Sequence, residues 1–596
     1  MQMSKEFAVD LGEKYNKVLK LLEDSKFDPP NEPYASKCAA KEILIDMKAK
    51  LENTSNNQFS SSSELLKIKA MLGSVYLYLG MTSIEMEELS EGENSLQNCH
   101  DTIRDFFNNP QVVMITLNMY NQFGILWSQR EPEKAKNYLH KAEQLYHKFK
   151  SSDNVAVDIS TLFCSNLETQ NEENAKQNFE KIHTFTLYYL AQIYGVLKDA
   201  LKSAIYCHIT LQRQLDSGDY DPIDWALNAA TLSQFFMEKN GFKQARHHLA
   251  ASSYIMDEYK EKLFSVSERN EEFDAKVEVF KHRSADIARC WAKYGLVLLS
   301  KSKERLLNHT DDISENCSLS ADLSKMTLNP DANVSLEELQ NLEFTSPKLG
   351  HYEKQITDKF VLIMQDAKLV FLNIQGWLQK AESYYTLETL ASDHIEIVQD
   401  QSNMYFGLLF FEDNVDNQAK LHKRRIDLLE NVIQQINPKY YLQYCRQIWF
   451  ELGQIYSDIL NIKCDKLREI EGRPSPHMLA KINHLTEKSI YSFTCFVESF
   501  KSDQEEEFVT QIPADFEKAV MQAYFHIGAL NNKYITLNKK TQLANIEMSY
   551  KAYKKVVDYC KLNEKVIEQM PMEHNICKEM VTLLPVKMAK LAQELH

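Results

Sequence analysis

The octet Trp449-Phe450-Glu451-Leu452-Gly453-Gln454-Ile455-Tyr456 matches the W-x2-L-G-x2-Y opening of a tetratricopeptide repeat at all four signature positions. Leu452, Gly453 and Tyr456 fall on one stripe of a helix, and the small residue lets a second, antiparallel helix approach closely. The predicted fold is all-α: a tetratricopeptide-like, right-handed α-solenoid of antiparallel helix pairs. The octet implies packing and no chemistry.

Weaker copies lie on either side. Upstream, Tyr120, Phe123, Gly124 and Trp127 repeat the spacing, and Ala135, Leu139 and Ala142 follow as a second helix, entered through Pro132 near its start. Two units stand back to back: Leu190, Ala191 and Tyr194 precede Ser203, Cys207 and Thr210, and Leu232, Ser233 and Phe236 precede Ala245, Leu249 and Ser252. Further units open at Leu72-Gly73-Tyr76, with an acidic insertion over 84–91 between its helices, and at Ile527-Gly528, followed by Ser549, Tyr553 and Val556. The small-residue anchors at 73, 124, 191, 233, 453 and 528 depart from the period of about 34 of a regular array, so long helices or inserted loops are expected. The Trp449 unit shows this best. Its partner helix, with Ser489, Phe493 and Phe496, follows a break at Gly472-Arg473-Pro474-Ser475-Pro476.

Three stretches read as loops: 53–63, a Ser/Asn tract; 151–177, without helical periodicity; and 308–347, polar with prolines at 330 and 347. The last divides the chain into an amino-terminal solenoid (1–300), a polar linker (301–350) and a carboxy-terminal solenoid (351–596).

Composition agrees with long helices. Glycine and proline make up about 5% of the chain, against a usual share of roughly 12%. No apolar run is long enough to span a bilayer, and the first residues lack a secretory pattern, so the expectation is a soluble, cytosolic chain without membrane insertion. Eleven cysteines are scattered without a CxxC pair and are expected to be buried free thiols. The net charge of -16 opposes general affinity for nucleic acid and anionic membranes, and a basic protein partner is the natural complement.

Chemistry-bearing motifs are missing. There is no GxxxxGK[ST], GxGxxG, HExxH or GxSxG, so the familiar nucleotide, zinc-protease and hydrolase sites are unsupported, and neither cofactor nor metal is expected. In His247-His248, adjacent helical residues point about 100° apart and do not readily share one ligand position, which favours an exposed structural role over a metal site. His422-Lys423-Arg424-Arg425 and Glu505-Glu506-Glu507 read first as solvated surface, with a contact to an acidic partner segment as the alternative for the basic cluster.

A polar stripe carries more information. Tyr189 and Gln192 are spaced i, i+3, as are Asn228, Thr231 and Gln234 in the next unit, and such spacings share a helix face. Gln192 and Gln234 directly follow the small packing residue and are expected to turn toward a concave groove. There they either bridge repeats or hydrogen-bond a partner helix. The Lys and Asn that clamp a chaperone's terminal carboxylate in one class of repeat are not supplied: these positions hold Ile125, Gln192 and Gln234.

Several longer stretches resemble the KIF-binding protein family: Leu187-Tyr-Tyr-Leu-Ala-Gln-Ile-Tyr194, Trp225-Ala-Leu-Asn-Ala-Ala-Thr-Leu-Ser-Gln-Phe235, Asp393-His-Ile-Glu-Ile-Val-Gln-Asp400, His422-Lys-Arg-Arg-Ile426 and Glu579-Met-Val-Thr-Leu-Leu-Pro585. Glu32-Pro33-Tyr34 and Gly124-Ile-Leu-Trp127 extend the likeness almost end to end. The resemblance implies a non-enzymatic regulator, expected to be monomeric, that grips kinesin motor domains in the concave face of its solenoid. The resemblance further implies that the captured motor is kept off microtubules, with consequences expected for axonal transport, axon outgrowth and spindle function. Carried over by motif position, Tyr189, Gln192, Gln214, Thr231 and Gln234 are the expected motor contacts, and Asn228 joins them through the shared stripe. A hub binding disordered or helical peptides is the alternative.

Overall fold

The computed structural model describes residues 5–55, 62–152, 154–164, 172–265, 269–308, 342–345, 347–469, 473–501 and 512–595. All are helices, turns or connecting segments, with no strand among them. The described residues of Met1–Lys262 and Ser318–Tyr352 form one compact unit, and those of Leu263–Cys317 and Glu353–His596 form a second.

The first unit runs α1 (Lys5–Asp24), α2 (Ala35–Ser55), α3 (Ser62–Glu85), α4 (Leu89–Ile103), α5 (Val113–Trp127), α6 (Pro132–Lys150), α7 (Ile159–Leu162), α8 (Glu172–Val196), α9 (Ala200–Ser217), α10 (Pro222–Glu238) and α11 (Phe242–Phe264). The second contains α12 (Glu271–Leu307), α14 (Met364–Glu382), α15 (Ala391–Leu409), α16 (Val415–Gln435), α17 (Pro438–Arg468), α18 (Pro476–Glu498), α19 (Glu517–Lys533), α20 (Lys539–Leu562), α21 (Glu564–Gln569) and α22 (Pro571–Gln593), while the single turn α13 (Gly350–Glu353) has its residues 350–352 in the first. Within each unit successive long helices pack on one another as antiparallel pairs, a tetratricopeptide-like solenoid arrangement. The sequence reading placed residues up to 300 in the first solenoid, whereas α12 packs against α14 and α15 in the second unit.

The glycine and alanine anchors sit where their pairs close. A methyl group at Gly453 would lie 2.8 Å from the Phe493 ring, and one at Gly528 would lie 2.9 Å from Tyr553. Close approach brings a second device with it. Ser489 Oγ donates to the Gly453 carbonyl (2.7 Å), Ser549 Oγ to that of Gly528 (2.7 Å) and Ser203 Oγ to that of Ala191 (2.8 Å). In α3–α4, Cys99 Sγ points its weak donor at the Gly73 carbonyl (3.2 Å). A short buried hydroxyl thus fills the space beside a bare backbone and hydrogen-bonds there, which removes the cost of burying it. The α10–α11 pair uses Ser252 Oγ on the Ala226 carbonyl (2.7 Å), so its stitch lies two turns before the expected Ser233.

Helix limits follow local chemistry. Asp199, Asp221, Asn437, Ser475 and Asn538 cap α9, α10, α17, α18 and α20, each accepting a hydrogen bond from a first-turn backbone N–H. Pro at the first helical positions opens α6, α10, α17, α18 and α22. No described helix is long and apolar enough to cross a membrane.

Several expectations change. The supposed insertion over 84–91 is a tight turn at Met86–Glu88, because α3 runs on to Glu85 and α4 begins at Leu89. Residues 53–55 close α2 and 62–63 open α3; the rest of that Ser/Asn tract lies outside the described residues. Within 151–177, α7 and the first turns of α8 are helical, and Phe163 stacks on Tyr15 with ring centroids 4.2 Å apart. Of the polar 308–347 stretch, Leu342 and Phe344 are buried in the first unit, and residues 309–341 lie outside the described set. Gly472 and Glu505-Glu506-Glu507 also lie outside it.

Polar residues depart from expectation in the same way. His247 and His248 are both buried, because α11 turns them inward toward His208 and Phe344. The basic cluster is split: Lys423 and Arg424 face solvent, while His422 and Arg425 are buried. There the Arg425 guanidinium donates to Glu451 Oε1 (2.9 Å) and Ser402 Oγ (3.1 Å). Cys99, Cys445, Cys560 and Cys577 are buried thiols as expected, but Cys38 and Cys164 are exposed because they fall on the outer side of a helix and just past a helix end.

Candidate functional site

A cleft of about 730 Å³ opens between α8 and the carboxy-terminal half of α9. α8 builds its wall by helical spacing. Ala175, Phe179, His183, Thr186, Leu187 and Leu190 turn into the core, which leaves Glu173, Lys176, Glu180, Thr184 and Tyr188 along the opposite side. α9 supplies Thr210, Arg213, Gln214, Asp216 and Ser217. It stops at Gly218, whose φ of +67° suits glycine and whose N–H closes on the Gln214 carbonyl (3.0 Å).

Glu180 organises one wall. It accepts from Tyr146 Oη (2.6 Å), Arg213 Nη2 (2.6 Å) and Lys150 Nζ (3.0 Å). Partial burial pushes its carboxyl upward in pKa, but the three donors outweigh burial and hold it below the usual range. Arg213 is fixed as well, donating from Nε to Thr184 Oγ1 (3.0 Å) and from Nη2 to the Glu180 carbonyl (3.2 Å). At the rim Lys181 pairs with Asp219 (2.9 Å), and Gln212 donates to Asp216 (2.7 Å). The lining holds four acidic side chains, Glu173, Glu180, Asp216 and Asp219, against the basic Lys176, Lys181 and Arg213. Its own charge is nearly balanced, and Glu180 is already satisfied internally.

An apolar edge continues along α8. Phe185 and Tyr188 are 40% and 43% exposed, which is high for large aromatics on an ordered helix. Tyr189 packs edge-on against both, with centroids 4.7 Å from Phe185 and 5.2 Å from Tyr188. Its phenol is half-buried, and burial, with Tyr188 alongside, raises its pKa.

The six sequence-predicted contacts divide on this geometry. Gln214 is half-buried in the cleft wall, and Tyr189 adjoins the cleft through Phe185 and Tyr188. Gln192 is exposed one turn beyond Tyr188 on the same face of α8. Asn228, Thr231 and Gln234 lie on α10 outside the cleft lining; Asn228 and Thr231 are exposed and Gln234 is half-buried. Sequence reading passed over Phe185, Tyr188, Glu180 and Arg213. The i, i+3 pair Phe185 and Tyr188 was the available signal, masked by the general abundance of aromatics in repeat cores.

Residues 223–591 match the family model described as KIF-1 binding protein C terminal. Curated KIF-binding proteins align over nearly the whole length: that of Drosophila melanogaster is 33% identical, covering 100% of this chain and 99% of its own. The Gallus gallus protein is 34% identical over 96% and 95%, and the human one 32% over 94% and 94%. A solved structure titled kinesin binding protein (KBP) superposes with a TM-score of 0.63 at 29% identity, covering 96% of this chain and 98% of that one. With matches this long on both sides, the chain belongs to the KIF-binding protein family.

Proposed function

We propose that this protein binds the motor domain of a kinesin on the face built by α8, α9 and α10 and thereby keeps the motor off microtubules. One observation carries the proposal: relatives from fly to human that match almost end to end bear the name KIF-binding protein. The face supports it physically. Exposed Phe185 and Tyr188 offer rigid apolar anchors beside the uncharged hydrogen-bonding groups of Gln192, Gln214, Asn228 and Thr231. A motor surface that fits acidic tubulin is basic, and a chain of net charge -16 attracts it over a distance. Because the cleft's charges nearly cancel, attraction belongs to the whole chain and selectivity to the aromatic and amide groups. Capture needs no catalysis and no cofactor. The cellular setting is cytoplasmic, on or near the cytoskeleton, with effects on axonal transport, axon outgrowth and spindle function, and the working species is a monomer that uses neither nucleic acid nor membrane insertion.

Microtubule co-sedimentation tests the reading. Saturating protein is expected to leave a susceptible kinesin motor domain in the supernatant, and the paired changes Gln192→Glu and Thr231→Arg are expected to return it to the pellet with helicity intact. A motor that pellets normally despite saturating wild-type protein refutes inhibition for that motor. An isolated kinesin helix that binds as tightly as the folded motor points instead to a peptide-binding hub.

A further inference from the structure

Residues 342–345 lie against α9 and α11 as a strap, and their contacts are unusual for a connecting segment. Phe344 is 4% exposed, with its ring centroid 4.7 Å from His208, 4.8 Å from His248 and 5.2 Å from Trp225. Its backbone N–H donates to His247 Nε2 (2.8 Å), and the next N–H, that of Thr345, donates to Gln212 Oε1 (3.1 Å). Glu343 pairs with Lys243 (2.6 Å). Leu342 is 1% exposed and takes a φ of +43°, a left-handed conformation that is costly for a non-glycine residue and persists only where surroundings enforce it.

Two of these contacts, and a third through Trp225, reach one stretch of α9. His208 and Gln212 touch the strap directly, and Trp225, beneath Phe344, donates its indole N–H to the Leu211 carbonyl (3.0 Å). The histidines form a fixed relay. His248 Nδ1 donates to the Gln244 carbonyl (2.7 Å), so its Nε2 is the acceptor for His208 Nδ1–H (3.0 Å). One residue beyond Gln212, α9 presents Arg213 and Gln214 to the cleft on its other side.

We infer that Phe344 is a positioning residue for the partner-binding cleft, holding the carboxy-terminal half of α9 in register with α8 from behind. The inference rests on the proposed motor-binding reading and adds to it a residue that touches no partner. Mutations that act through a packed network in this way shift coupling between sites by roughly two- to thirtyfold.

Two measurements on the full chain decide it. In free protein, Phe344→Ala is expected to speed amide exchange over residues 208–217 and leave that of α17 and α18 unchanged. The same variant is expected to weaken capture of a kinesin motor domain roughly two- to thirtyfold, and Phe344→Leu to recover part of the loss. Lys243→Glu, which repels Glu343 without touching the core, is expected to act in the same direction and be rescued by adding Glu343→Lys. Unchanged exchange over 208–217 in Phe344→Ala overturns the inference with or without a motor. Faster exchange with wild-type capture, where Tyr188→Ala does weaken capture, also overturns it. If wild-type protein captures no motor, the proposed function falls and takes the coupling with it, and exchange alone then reports whether the strap holds α9.

Discussion

Ser489 Oγ donates to the Gly453 carbonyl at 2.7 Å across 36 residues of sequence, and the Phe493 ring fills the space that a side chain at Gly453 would need. The joint therefore depends on a missing side chain and a present hydroxyl. Gly453→Ala gains helix propensity of about 1 kcal/mol but forces its methyl against buried Phe493, and overpacking of this kind costs about 1–3 kcal/mol. The expected net outcome is destabilisation, since the neighbour is a fully buried ring that cannot swing away. Ser489→Ala loses one buried hydrogen bond, about 1 kcal/mol. Urea unfolding followed by circular dichroism checks both, and a Gly453→Ala protein as stable as wild type would refute the packing argument.

Acid should loosen the first unit as its buried histidines protonate. Burial, with His247 nearby, pushes His208 from its ordinary 6.5 to about 3, and burial pushes His248 well down in the same direction. Both are neutral in the fold and protonate more readily once it opens, so the unfolded chain binds more protons below pH 6.5. Their contribution is complete above that value and is lost as pH falls toward 3, by up to about 1.4 kcal/mol per pH unit for each histidine. Urea midpoints should drop between about pH 7 and about pH 5, with a smaller drop in His208→Gln. Equal drops in the variant and wild type would exclude this pair as the source.

Arg424 and Arg425 are adjacent and should behave as unlike residues. Arg424 is exposed, and Arg424→Ala should change stability by no more than about 0.5 kcal/mol. Arg425→Ala removes the partner of Glu451 and of Ser402 inside the second unit, and breaking a buried ion pair costs about 3–5 kcal/mol. Thermal unfolding of the two variants side by side measures the difference.

On the proposed binding face, the aromatics should outweigh the amides. Tyr188→Ala or Phe185→Ala is expected to weaken motor capture by about tenfold or more, and Gln192→Ala by less, because interface energy concentrates in aromatic anchors. Calorimetric titration with a purified motor domain ranks them; a larger loss at Gln192 would assign the selectivity to hydrogen bonding.

The helix pairs were readable because their code is local. Gly453, Gly528, Gly124 and Ala191 each announce a close approach within one turn of large apolar residues, and each sits at a pair joint. The direction of polar groups was harder to read. His422 and Arg425 share a helical stripe with Ile426 and Leu429, and only the tertiary partners Ser402 and Glu451, 23 and 26 residues from Arg425, account for a charge turned inward. Phe344 was hidden altogether. One aromatic in a polar stretch has no periodicity, and the groups that hold it lie 96 and more residues away in sequence.

The hydroxyl-to-carbonyl stitch spans 12 residues in α8–α9, 21 in α19–α20 and 36 in α17–α18. The same fastening thus closes helix pairs whose bonded residues differ threefold in sequence separation, so the joint dictates the geometry and the connection merely has to reach. For protein engineering this marks the inter-helix connections, more than either terminus, as the places to graft a fluorophore-bearing peptide or an affinity handle without retuning the repeat.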